Sequence, residues 1–233
     1  MPLDCPKCGA GVEPGEGECR QCGVIFAKYR QPHNPDRARL GGDTKAGARS
    51  ARTAAEWWGQ VALLVALAAW TVSFATTPFG PVLMDTVWHL PDLVFHEAGH
   101  ILFIPFGQFM TALGGSLFQC ALPLALAGVF LHQGNRFGAV VCVWWAGQNL
   151  VDVAPYVADA RTLQLVLLGG RTGGEVEGHD WEYILTQLGW LHLDRSIGVS
   201  TYRVGLAIMM ASLAAGLLIA VRQTRRAGAN LGF

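Results

Sequence analysis

The chain has 233 residues, 52% hydrophobic and 15% charged, with seventeen basic and seventeen acidic side chains. A soluble domain carries about 25% charged residues, so the composition is that of a membrane protein. The zero net charge implies no overall field for nucleic acid. What charge exists is unevenly placed: seven of the seventeen Lys and Arg fall between Lys28 and Arg52, and Arg222, Arg225 and Arg226 crowd the other end.

Residues 1–30 contain two Cys-x-x-Cys-Gly knuckles, Cys5–Cys8 and Cys19–Cys22, ten residues apart. Each turn presents two thiolates to one metal, and Gly9 and Gly23 can supply the positive φ needed after it. Four thiolates close a tetrahedral structural site, so this segment resembles a zinc ribbon. Gly11, Pro14, Gly15 and Gly17 suit a tight hairpin between the knuckles. Two disulfides would require an oxidising compartment, and no signal peptide is seen before the first apolar run. So short a segment buries little core and depends on its metal for folding. Val24, Ile25, Phe26 and Tyr29 read as a docking patch for a protein partner. Residues 31–56 are polar, with Pro32, Pro35, Gly41, Gly42 and Gly47, and read as a flexible basic linker suited to an anionic cytoplasmic leaflet.

The helical membrane domain is expected over 57–226. Residues 57–76 form a twenty-residue apolar run, long enough to span. A loop follows, where the lone His89 is expected to be solvated. Residues 93–107 then hold the sequence His96-Glu97-Ala98-Gly99-His100 inside an apolar run. On a helix, positions i and i+4 leave the same face, so the two imidazoles can reach one zinc ion. Glu97 lies beside them as general base, and Gly99 leaves room next to the metal. An ionisable residue costs about 2.5–3.5 kcal/mol or more at the centre of a bilayer helix, which makes three in five positions poor filler. Pro105 cannot donate to the carbonyl of Ile101, so the helix should end there. The twelve residues of 93–104 reach about 18 Å against an apolar core of about 30 Å. Gly114 and Gly115 are expected to turn the chain before the apolar run 116–131. Cys120 and Cys142 read as buried small hydrophobes.

The helix expected over 137–156 starts plain and ends polar. Asn149, Asp152, Tyr156 and Asp159 share one face, and such a stripe faces the bundle interior or a wet cavity. Asp152 is the candidate third zinc ligand, with Asn149 or Gln148 orienting it or a substrate. Interhelical hydrogen bonding is the other reading of the stripe. Gly169, Gly170, Gly173, Gly174 and Gly178 make a flexible loop able to close over the site as a lid. His179 is the rival third ligand; Asp180, a candidate to contact substrate or support a ligand, is also expected to N-cap the helix that follows, which is expected to lie in the membrane interface. The last span is 202–221.

The helix carrying His96, Glu97 and His100, with Asp152 on a later helix, resembles the site-2-protease class of intramembrane zinc peptidases over residues 93–160. The resemblance implies that His96 and His100 are the two histidine ligands, Glu97 the catalytic glutamate and Asp152 the third ligand. Val153 stands where that family usually carries glycine, and Asn149 and Pro155 are spaced differently from the family's Asn and Pro.

Topology follows from parity. Were all five apolar segments to cross, the C-terminal arginines would lie outside and Asp152 would lie across the membrane from His96. Four crossings plus one re-entrant or kinked helix, broken at Pro105, put both termini in the cytoplasm. The expectation is an all-α polytopic protein of a bacterial-type inner membrane, capped by a ribbon and holding one structural and one catalytic zinc. Its expected activity is peptide-bond hydrolysis in a membrane or membrane-proximal protein. A non-catalytic zinc-binding scaffold or sensor, and a metal transporter, are the competing classes.

Overall fold

A computed structural model describes residues 3–13, 15–29 and 35–229, the side chains of Leu3, 35–53 and 224–229 excepted. Pro14, Arg30, Pro32 and Phe233 lie outside the described residues, as do the side chains of Arg37, Arg39, Lys45, Arg49, Arg52, Arg225 and Arg226. The chain divides into two compact units, 1–55 and 56–233.

In the first unit, β1 (Leu3–Asp4) pairs antiparallel with β2 (Gly11–Val12), Leu3 opposite Val12. The knuckles form as their glycines require. Gly9 N–H donates to Cys5 O (2.9 Å) and Gly23 N–H to Cys19 O (2.8 Å), with φ of +74° and +66°. Cys5, Val12 and Cys19 make its small buried core.

Helix α1 (Pro35–Thr76) begins inside the stretch whose composition suggests a flexible linker. Residues 35–56 are helical instead: Pro35 opens the helix at a position where its missing N–H costs nothing, and alanine and arginine between 46 and 55 favour helix. The rest of the second unit is α2 (His89–Phe103), α3 (Gln108–His132), α4 (Arg136–Ala158), α5 (Asp180–Gln187) and α6 (Asp194–Ala229). Among the described residues, four stretches are long and apolar enough to cross a membrane: Ala54–Thr76, Gln108–His132, Arg136–Ala158 and Leu191–Gln223. Val65, Val72, Leu217 and Leu218 are each about 60% exposed, the outward apolar surface of a membrane protein.

The central helix is α4. Two-thirds of its apolar window is buried, against a third or less for the other three. Trp144 and Val151 pack with Leu67, Phe74, Leu83 and Met209, and Trp144 Nε1 donates to Thr71 Oγ1 at 2.9 Å. Small residues bring α6 against α4: a Cβ on Gly147 would lie 2.8 Å from Gly205 O, and one on Gly205 2.6 Å from Gly147 O. Backbones approach this closely only where neither side carries a side chain.

Helix α2 is not among the four long apolar stretches. Its fifteen residues reach about 22 Å. It ends where Pro105 enters a 3-10 turn over Ile104–Phe106. Gly114 and Gly115 do not turn the chain but lie within α3. Their role is contact: a Cβ on Gly99 would sit 2.3 Å from Gly114 O, so α2 and α3 touch backbone to backbone. Packing here overrides the low helix propensity of paired glycines.

Candidate metal centre

Two helices supply three candidate ligands. His96 and His100 come from α2 and Asp180 from the first residue of α5. One ligand atom from each lies within 4.8 Å of the others. Asp180 Oδ2 is 3.4 Å from His96 Nε2 and 3.3 Å from His100 Nε2. Ligands held tetrahedrally at 2.0–2.1 Å from a zinc-sized ion are separated by about 3.3–3.4 Å, so the spacing fits such an ion.

The protons are arranged to match. His100 Nδ1–H donates to the Thr111 carbonyl (2.8 Å). His96 Nδ1 meets Gln119 Oε1 at 3.0 Å, and because that oxygen only accepts, the nitrogen donates. Each ring thus keeps its Nε2, the nitrogen that faces Asp180, for a metal ion or, when protonated, for a hydrogen bond to that carboxylate. The Asp180 carboxylate also accepts from the Tyr156 hydroxyl (3.0 Å), which in turn accepts the Asp180 N–H (3.0 Å). Burial raises the Asp180 carboxyl, but hydrogen bonds from His100 and His96 outweigh it and hold it at about 2. Gly115 forms the floor: a Cβ there would lie 2.6 Å from His100 Nε2 and 2.7 Å from His96 Nε2. Gly115, not Gly99, keeps the space beside the two nitrogens open.

The third position of this group belongs to Asp180 rather than Asp152 or His179. Asp152 Oδ2 accepts from Gln119 Nε2 (3.0 Å), and its Oδ1 lies 2.9 Å from His89 Nδ1. His89 is therefore paired at the start of α2 and not a free loop residue. His179 is the N-cap of α5, its Nδ1 accepting from Glu182 N–H at 3.1 Å; its Nε2 faces Asp159 Oδ2 at 3.6 Å. With the cap filled by His179, the Asp180 side chain is free to reach α2. Burial holds the His179 imidazole below its usual range, against the pull of Asp159. Gln148 and Asn149 are fully buried away from the group. Gln148 Nε2 donates to Asp92 Oδ2 (2.8 Å), and Asn149 Nδ2 to Trp145 O (2.9 Å).

Glu97 makes no hydrogen bond or ion pair among the described residues and lines, with the triad, a cavity of about 1440 Å³. Apolar Leu163, Val166 and Leu167 from the loop after α4 form part of its wall, together with Gly169, Gly170 and Gly173. Asp159 anchors that loop, accepting from Gln164 N–H (3.0 Å) and Leu165 N–H (2.8 Å). Helix α5 packs one face on the bundle: Ile184 and Leu185 are buried, and Trp181 Nε1 donates to Ser116 Oγ on α3 at 3.0 Å, while Leu188 and Trp190 at its end are exposed. Gln119 and Gly115 are the residues that sequence reasoning passed over. An isolated glutamine in the apolar run 116–131 was the available signal for the first.

The first unit gathers Cys5, Cys8, Cys19 and Cys22 into a second group able to hold a metal ion. Sulfur separations of 3.7 Å for Cys5–Cys22 and 3.8 Å for Cys8–Cys19 match the edge of about 3.8 Å expected around zinc. All six cysteines are free thiols, with no disulfide among them. Cys142 is buried and Cys120 half-buried.

In comparisons with family models, with curated proteins and with solved structures, nothing matches this chain.

Proposed function

We propose that this chain is a membrane-embedded, zinc-dependent peptidase whose catalytic group is His96, Glu97, His100 and Asp180. The observation that carries the reading is the convergence of two Nε2 atoms and a carboxylate oxygen at tetrahedral spacing, beside an uncommitted glutamate that lines a cavity. A zinc ion bound there supplies a Lewis acid that acidifies water and polarises a carbonyl. The chain's own residues do the rest. Glu97, one position round α2 from His96, takes the proton of the attacking water and returns it to the leaving amine. The Nδ1 partners hold both imidazoles in the ligating tautomer. Tyr156 spends its hydroxyl on Asp180 and keeps that carboxylate aimed at the histidines. The loop after α4 screens the group from bulk water and offers apolar contacts to a substrate segment.

The substrate in this reading is a membrane or membrane-proximal protein, since the group lies on a helix packed among spans. The four-cysteine unit holds the second zinc and serves recruitment of a protein partner. Four crossings, an even number, place both termini on one side, the basic side facing the cytoplasm. The test is metal content with turnover on the full chain. Wild type should carry two ions, His96→Ala one, and Glu97→Gln two with turnover lowered about 10²–10⁴-fold. A Glu97→Gln protein that retains turnover would refute the peptidase in favour of a scaffold or transporter.

A further inference from the structure

The triad leaves one element of the centre unexplained. Asp152, Gln119 and His96 come from α4, α3 and α2, and are 3%, 2% and 7% exposed. They form an unbroken chain of hydrogen bonds, Asp152 Oδ2 to Gln119 Nε2 and Gln119 Oε1 to His96 Nδ1, both 3.0 Å. His89 closes the far end, 2.9 Å from Asp152 Oδ1. His100 needs no such chain, because a main-chain carbonyl already fixes its proton.

We propose that Asp152, acting through Gln119, is a positioning residue that decides which nitrogen of His96 carries the proton. The proposal rests on the metal-site reading above. A primary amide has a donor end and an acceptor end, and nothing in a buried glutamine chooses between its two orientations. Asp152 Oδ2 is the acceptor at this end, so Gln119 faces it with Nε2. The other end is then an oxygen, which obliges His96 to place its proton on Nδ1. The lone pair is left on Nε2, the nitrogen that faces Asp180 and His100. Were the amide reversed, its N–H would donate to Nδ1 and move the proton to Nε2, where it would occupy the metal's position. The role differs from the direct ligation that the resemblance implies for Asp152, and it gives the buried carboxylate a function the triad does not.

The test uses the full-length protein with selectively ¹⁵N-labelled histidine. The tautomer of His96 is read without metal in an Asp180→Ala background, where no carboxylate faces Nε2, and zinc affinity by competition with a chelator with Asp180 in place. With Asp152 and Gln119 intact, Nδ1–H alone should appear. Asp152→Asn leaves both amide orientations open, so a mixture should appear and affinity should fall about 10–100-fold, the usual effect of removing a partner one shell out. Gln119→Met, which leaves Asp152 in place, should behave alike. The double variant Asp152→Asn with Gln119→Glu puts an acceptor-only group against His96 and a donor behind it, and should restore Nδ1–H and most of the affinity. A single Nδ1–H tautomer in both single variants would overturn the proposal. So would loss of metal in Asp152→Asn without recovery in the double variant, the pattern of a direct ligand. If wild type bound no ion at this group the metal-site reading would fail, while the tautomer comparison would still decide the relay.

Discussion

Gly115→Ala is the most direct challenge to the geometry of the centre. The added methyl carbon would sit 2.6 Å from His100 Nε2, 2.7 Å from His100 Cε1 and 2.7 Å from His96 Nε2. Uncrowded carbon–nitrogen contacts need about 3.5 Å, so each falls short by about 0.8 Å. The methyl also lies against both nitrogens that a zinc ion would approach to about 2.0–2.1 Å, so the two compete for one volume. Helix α3 cannot retreat cheaply, because Gly114 already touches α2: a Cβ there would meet Phe103 Cβ at 2.7 Å and Gly99 O at 2.8 Å. The rings must turn aside instead. Overpacking of this kind costs about 1–3 kcal/mol of stability. Displacing two ligand nitrogens should weaken metal binding by 100-fold or more, about 2.7 kcal/mol. The assay is elemental analysis of purified protein with chelator competition, and Gly128→Ala on the same helix, where a Cβ meets nothing within 4 Å, is the control. The variant should keep one ion, the one held by the cysteines. Two ions at wild-type affinity would mean that the two Nε2 atoms do not converge over Gly115, and the candidate centre would be refuted.

Asp180 should give the metal-free protein an acid-sensitive component. Its folded pKa of about 2 lies below the ordinary 3.8. The stabilisation is thus present above about pH 4 and lost as pH falls toward 2, about 2 kcal/mol in all; Asp180→Asn should unfold in urea without that change of midpoint. At the α4–α6 contact, Gly205→Val would drive its side chain into Gly147 O and Val151, and a melting temperature lowered by several degrees is expected. Cys8→Ala should remove the metal of the first unit and leave that of the membrane body, so thermal release of the two ions should separate cleanly; loss of both ions together would argue against two independent groups.

Much of the architecture could be read from local pattern alone. A span is a statement about neighbours in sequence, so runs of apolar residues locate the four long helices, and Pro105 marks the end of α2 because the missing N–H acts within one turn. The two knuckles are equally local, and the pairing of His96 with His100 needs only the 3.6-residue repeat. Where the reading departed from the structure, an interaction between distant residues decided the matter. Gly114 and Gly115 look like a turn, but contact with Gly99 holds them in helix. His89 looks solvated until Asp152, 63 positions on, comes beside it.

The third member of the triad shows the division most plainly. Asp152, His179 and Asp180 are each chemically able to complete a site with His96 and His100, and composition or spacing cannot rank them, because the selection is made by position in space. Folding commits Asp152 to Gln119 and His89, and His179 to the first turn of α5, which leaves the Asp180 carboxylate 3.3–3.4 Å from the two ring nitrogens. The sequence by itself thus determined a helical protein with several stretches apolar enough to cross a membrane and two metal-ligand motifs. Which carboxylate faces the histidines, and which glycine keeps the space between them open, was decided only when α2, α3, α4 and α5 came together, since both are properties of distances across the bundle.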